Sequence, residues 1–134
     1  MERIDVLMEK KRQIFTWYKE RLHNVPGIRL NAELPGSDPS FWMTTLAFED
    51  ASMVRHHLLR RLLASKVMCQ PVFYPLSPMP MCTRADNPVA YSTGVRTIIL
   101  PSGHNRTEEE VEYIANVIKA LLADKAASSV RVEP

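Results

Sequence analysis

Thr107 and Glu110 stand just ahead of an apolar stripe of Val111, Ile114, Ala115, Ile118, Leu121 and Leu122. A threonine at a helix start can accept from the amide three residues on, while a glutamate there reaches back to the threonine amide, so the pair forms a capping box. The spacing predicts a capped helix with one apolar face running through Leu122. A second stripe, Ile4, Leu7, Met8, Ile14, Phe15, Tyr18 and Leu22, lies near the other end of the chain, with Lys10, Lys11, Lys19 and Glu20 largely between its members. That pattern predicts a long amphipathic helix. It should stop at Asn24-Val25-Pro26-Gly27, where proline withholds an amide donor and glycine tolerates a left-handed turn. Two such helices must bury their faces on something between them, and short β-type segments are what the intervening sequence offers.

Ile28 to Leu30 reads as a short strand. Phe41 to Phe48 is rich in aromatic and threonine residues with apolar groups on both faces, so a central, covered strand is expected. Asp50 or Ser52 can cap a following helix to about Ser65, with Val54, Leu58, Leu62 and Leu63 on one face and Arg55, Arg60 and Arg61 on a solvated one. Val67 to Tyr74 reads as a strand that Pro71 confines to an edge or a bulge. Three prolines in the seven residues Pro75 to Met81 exclude regular structure there. A short helix near Pro88 to Thr93, a strand Thr97 to Leu100 and a turn at Pro101-Ser102-Gly103 precede the capped helix. The expected fold is a two-layer α/β (α+β) unit. Its small antiparallel or mixed sheet of three or four strands is covered by the long N-terminal and C-terminal helices.

A length of 134 residues suits one domain. The apolar fraction of 46% and charged fraction of 24% are those of a folded globular chain. Residues 1–125 are read as the domain and 126–134, which lose the apolar repeat, as a flexible tail. A net charge of +2 is too small a field to mark nucleic acid or an anionic membrane as partner. No apolar run suits a signal peptide or a bilayer span. Cys69 and Cys82 fit neither a disulfide framework nor a close metal-ligand pair, and a reducing cytoplasm is the expected setting.

The individual side chains that draw attention have bland readings beside the functional ones. Trp42 could flank a ligand, but an aromatic in a covered strand is expected in the core. His56 and His57 are helical neighbours whose side chains diverge, so they cannot share one metal as residues four apart do. His104 precedes the last helix and reads as a solvated loop residue.

Several strings together carry a resemblance. Phe73-Tyr74-Pro75-Leu76 followed by Met79-Pro80-Met81 resembles a segment of the DegT/StrS-type nucleotide-sugar aminotransferases. Arg12 to Leu22, Ser40 to Thr45 and Val54 to Val67 are similar to that family's helix, strand and helix upstream of the segment. Asn87-Pro88-Val89-Ala90 and Ile99-Leu100-Pro101-Ser102, with Thr107 to Glu110, are similar to the family's strings downstream of it. The shared order spans Lys11 to Leu122 and resembles the C-terminal small domain of these fold-type-I enzymes, which use pyridoxal phosphate to aminate keto-sugar nucleotides.

The resemblance implies a substrate-binding wall at Gln70, Phe73, Tyr74, Ser77 and Met79, although a packed connector is the alternative for that loop. It also implies what the chain lacks. The family's Schiff-base lysine and cofactor ligands belong to a large domain, and Lys10, Lys11, Lys19, Lys66, Lys119 and Lys125 match no such context. No catalytic, cofactor-binding or metal residue is therefore assigned, and pyridoxal phosphate is expected only if a large domain completes the site. Gln70 stands where the family commonly has Arg, Ser77 where it has His and Lys66 where it has Gly. A fragment, split subunit or inactive remnant is implied, with a large-domain partner chain, a second copy or a nucleotide sugar as its partners. A non-enzymatic dimerisation or interaction module is the alternative.

Overall fold

The computed structural model describes residues 3–49 and 55–129, with side chains as far as Asp124. The elements are α1 (Ile4–Leu22), β1 (Ile28–Leu30), β2 (Thr44–Phe48), α2 (Arg55–Ala64), β3 (Gln70–Pro71), α3 (Pro88–Arg96), β4 (Thr97–Leu100) and α4 (Glu108–Ser129). The strands form one antiparallel sheet in the order β1-β2-β4-β3. β2 is central, as its composition predicts, and the Pro71 strand sits on the edge, where a missing amide costs no ladder bond.

Leu46 and Phe48 of β2 and Ile98 and Leu100 of β4 turn to one side of the sheet. There they meet Ile14, Tyr18 and Leu22 of α1, Leu58 and Leu62 of α2, and Val111, Ile114, Ala115 and Ile118 of α4. These residues make one core, and α1 packs directly on α4. Polar contacts fix α1 to the sheet's end. The Tyr18 hydroxyl donates to the Pro101 carbonyl at 2.8 Å, and the Lys11 ammonium donates to the Trp42 and Ser102 carbonyls. Between α1 and β1, Gly27 adopts φ +78, and its carbonyl accepts from the Glu49 amide at 2.9 Å. The capping box forms as expected: the Thr107 amide donates to Glu110 at 3.1 Å, and the Glu110 amide donates to the Thr107 hydroxyl at 3.3 Å.

Several expectations are corrected. Trp42 is 62% exposed. The backbone turns left-handed at Phe41, with φ 47, so β2 begins only at Thr44, and it is Phe41 that stacks on Phe15 at 3.7 Å between ring centroids. The α1 stripe is buried only from Ile14 onward, which leaves Ile4 and Leu7 open to solvent. Leu63 is exposed and Leu59 takes the half-buried place beside Leu58. Arg55, read as solvated, is buried. The strand expected over Val67 to Tyr74 is reduced to Gln70–Pro71, because the prolines on either side of Phe73-Tyr74 draw the chain away from β4. α4 continues past Lys125 to Ser129. The expected α2 caps, Asp50 and Ser52, and the stripe residue Val54 lie outside the described residues.

α2 ends in a Schellman motif. The Val67 amide donates to the Leu62 carbonyl and the Lys66 amide to the Leu63 carbonyl, both at 2.9 Å, with Lys66 at φ 59. Lysine thus occupies the left-handed position that glycine fills without strain. Lys66→Gly is expected to raise stability by about 0.5–1 kcal/mol, the relief of strain exceeding glycine's greater chain entropy; a denaturant midpoint no higher than wild type would contradict this. Burial also raises the Tyr18 hydroxyl pKa and pushes the Cys69 thiol from 9.0 up to about 12. Both groups stay protonated in the fold at pH values where the unfolded chain would lose its protons. Their contribution is whole below about pH 9 and is lost as pH rises toward 12. Alkaline titration should therefore lower the melting temperature over that window, and Cys69→Ala should flatten the thiol's share of the slope.

Candidate functional site

The segment from Gln70 to Met81 leaves the sheet edge and returns to α3, and its course is set by where its backbone groups find partners. Gln70 pairs with Ile99 and Pro71 with Ile98. Directly opposed residues share a face, so Gln70 lies with Ile99 and Thr45, away from the core face of Leu46 and Ile98. Its side chain is exposed. The Val72 amide donates to the Thr97 carbonyl at 3.3 Å, the last tie to β4. Beyond it, Phe73 and Tyr74 are 66% and 70% exposed, so these aromatics present their faces outward rather than packing.

Pro75 then seats against Gly94 in α3. A Cβ added to Gly94 would stand 3.1 Å from Pro75 Cδ, close enough that the proline ring would have to shift slightly to admit it. The Met79 amide donates to the Leu76 carbonyl and the Cys82 amide to the Met79 carbonyl, both at 2.9 Å, which makes two consecutive turns. The Ser77 hydroxyl donates to the Ala85 carbonyl and accepts from the Ala85 amide, each at 2.7 Å. That reciprocal pair closes the loop. The Tyr91 hydroxyl donates to the same Ala85 carbonyl at 3.1 Å, fastening the closure to α3. Ser77 and Met79 are half-buried, whereas Leu76 and Met81 are exposed.

Of the five residues expected to bind substrate, Phe73, Tyr74, Ser77 and Met79 thus lie on one cross-linked loop, with Gln70 at its root on the sheet edge. The chemistry offered is aromatic faces, a thioether, an amide and a hydroxyl already engaged on backbone. These groups make contacts; none is a nucleophile paired with a base. Two clefts lie elsewhere. One of about 550 Å³ is bounded by Lys66, Met68, Arg106, Glu109 and Tyr113 among others. The other, of about 450 Å³, is lined by Arg29, Ala47, Phe48, Glu49 and Arg96. Neither lining includes any of the five.

Three of the described lysines are committed to other work. Lys11 holds two carbonyls, Lys19 pairs with Glu33 at 2.7 Å and Lys10 lies over the Trp17 ring at 4.7 Å. Burial lowers the Lys11 pKa, and its amine is occupied by two carbonyl partners. Lys66 and Lys119 are exposed. These lysines do not fit a Schiff-base site, which needs a neutral amine held beside a bound cofactor. His56, His57 and His104 are exposed, and among the described residues no three His, Cys, Asp or Glu side chains cluster as metal ligands would.

Sequence reading missed three residues around the loop: Tyr91, bonded to the Ala85 carbonyl, Gly94, in contact with Pro75, and Arg55, bonded to the Gly94 carbonyl. A glycine inside a short helix was the available signal, since it marks close approach by another segment.

Comparison with known proteins agrees with this outline. EpsN of Bacillus subtilis (strain 168), which carries the name of a pyridoxal phosphate-dependent aminotransferase, is 29% identical over 142 residues, covering 98% of this chain and 36% of its own length. The GDP-perosamine synthase of Escherichia coli O157:H7 is 29% identical over 130 residues, covering 93% of this chain and 34% of its own. The solved structure of the aminotransferase TlmJ from Streptoalloteichus hindustanus superposes with a TM-score of 0.84 at 25% identity, over 93% of this chain and 34% of that one. The chain spans about a third of the length of these relatives. Residues 1–119 match the family model itself, and the chain belongs to the DegT/DnrJ/EryC1/StrS aminotransferase family.

Proposed function

We propose that this chain works as the C-terminal small domain of a pyridoxal-phosphate-dependent nucleotide-sugar aminotransferase, with the catalytic lysine and the cofactor held by a large domain. The observation that carries the reading is the family match over residues 1–119 in a chain that spans only a third of its relatives' length. When bound, the cofactor would supply the electron sink for amino-group transfer. The residues of this chain would supply shape. Phe73 and Tyr74 offer faces on which a sugar or base can stack, and Met79 a polarisable contact. Gln70 and Ser77 offer neutral hydrogen-bonding groups where the family's resemblance implies a cation and an imidazole, so they favour a substrate bound without those charges.

The exposed Phe73, Tyr74, Leu76 and Met81 also favour coverage by protein. A large domain, in the same polypeptide or another, is what this reading requires, and a second copy of the chain is the alternative.

Titration of the purified chain with pyridoxal phosphate, followed by borohydride reduction and intact mass measurement, is expected to give no stoichiometric single-lysine adduct. One fixed adduct would overturn the claim that the lysine lies elsewhere. In a parallel thermal-shift series, nucleoside-diphosphate sugars should stabilise the chain by mass action, and the doubly substituted F73A/Y74A chain should lose most of that shift. A shift retained in full by F73A/Y74A would move the binding surface off this loop.

A further inference from the structure

Arg55 is 8% exposed, and its Nε is buried with no hydrogen-bond partner among the described residues. A guanidinium so placed is costly to desolvate, so the contacts it does make locate its use. Its Nη1 donates to the Gly94 carbonyl. That carbonyl needs an outside donor. α3 ends at Arg96 and passes straight into extended chain at Thr97, with φ −117 and ψ 140, so the last-turn carbonyls have no helical amides ahead of them. Among them, the carbonyl of the buried Gly94 is served by Arg55.

Gly94 is also the seat of Pro75, whose Cδ lies 3.1 Å from where a Cβ on Gly94 would stand. The final turn of α3 is therefore held from one side by the first residue of α2, while the other carries the proline between Tyr74 and Leu76. No separate described hydrogen bond ties Phe73 or Tyr74 to the body of the fold.

We propose that Arg55 is a positioning residue for the Phe73–Met79 loop: by holding the Gly94 carbonyl it fixes the seat of Pro75, and through that seat the placement of the exposed aromatics. The importance of that placement for substrate rests on the function proposed above, but the joint itself does not. Arg55 would touch no substrate; it would set specificity by deciding where Phe73 and Tyr74 stand.

Amide hydrogen exchange on the full chain tests this without any ligand. The reporting amides are those of Val72, Met79, Cys82 and Ala85, each bonded within the loop or at its root. In R55M they should exchange about tenfold faster while the core amides of α4 keep wild-type rates, because opening is local. R55K, which keeps a donor but loses the planar fork, should fall between. G94A leaves Arg55 intact but crowds Pro75 at its seat, and should accelerate the same four amides. Wild-type rates at these amides in R55M, or acceleration no greater than that of α4, would overturn the proposal. If R55M fails to fold, R55K is judged by the same comparison. Loop-selective acceleration in a chain that gives no nucleotide-sugar thermal shift would sink the function and leave the joint standing; the reverse result would do the opposite.

Discussion

The β2–β4 ladder sets Leu46 opposite Ile98 and Thr44 opposite Leu100, so the two central strands together present one apolar face. A single-residue slip would send those side chains to the other side of the sheet, which makes the register the constraint on which the helices depend. α1, α2 and α4 all close over that face, and the contacts from Tyr18 to Pro101 and from Lys11 to Ser102 lock α1 to the end of β4. Four strands this short would not persist alone; the apolar area taken from water by three helices holds them.

The edge of the same sheet launches the candidate site. After the Val72 amide bonds the Thr97 carbonyl the chain leaves β4, and the prolines beyond keep the segment from coiling into a helix or adding to the sheet. Rigidity then comes from a few contacts: the ring of Pro75 on Gly94, the two-way bond between Ser77 and Ala85, and the Tyr91 hydroxyl. A loop so cross-linked can display Phe73 and Tyr74 to solvent without losing definition, which a binding wall requires.

Family membership and the local deviations bear on each other. Lys66 occupies the left-handed end of α2, a position the resemblance gives to glycine, and the fold tolerates it because the Schellman bonds at Leu62 and Leu63 still form. Ser77, where the resemblance implies histidine, is turned to a structural use in closing the loop. These substitutions leave the architecture intact and alter the chemistry at its surface. They separate what the fold demands of a position from what a reaction would demand of it.

Much of the architecture was legible in the chain. The capping box at Thr107 and Glu110, the apolar stripes of α1 and α4, the Pro71 edge and the strand order's central member all obey local rules, because caps, periodicity and missing amides act within a few residues of themselves. The candidate site was nominated only through resemblance, since no short-range rule picks out Phe73, Tyr74, Ser77 or Met79. Trp42 and Arg55 were misread for one reason. Their burial depends on which distant segment arrives beside them, Phe41 taking the aromatic place against Phe15 and the end of α3 calling for a donor from α2. Local chemistry along the chain therefore settles the elements, their caps and their apolar faces. That Gly94 meets Pro75 and that Arg55 reaches Gly94 is settled by tertiary packing alone, because both contacts join residues remote in the chain that the β4 register and the course of α3 bring together.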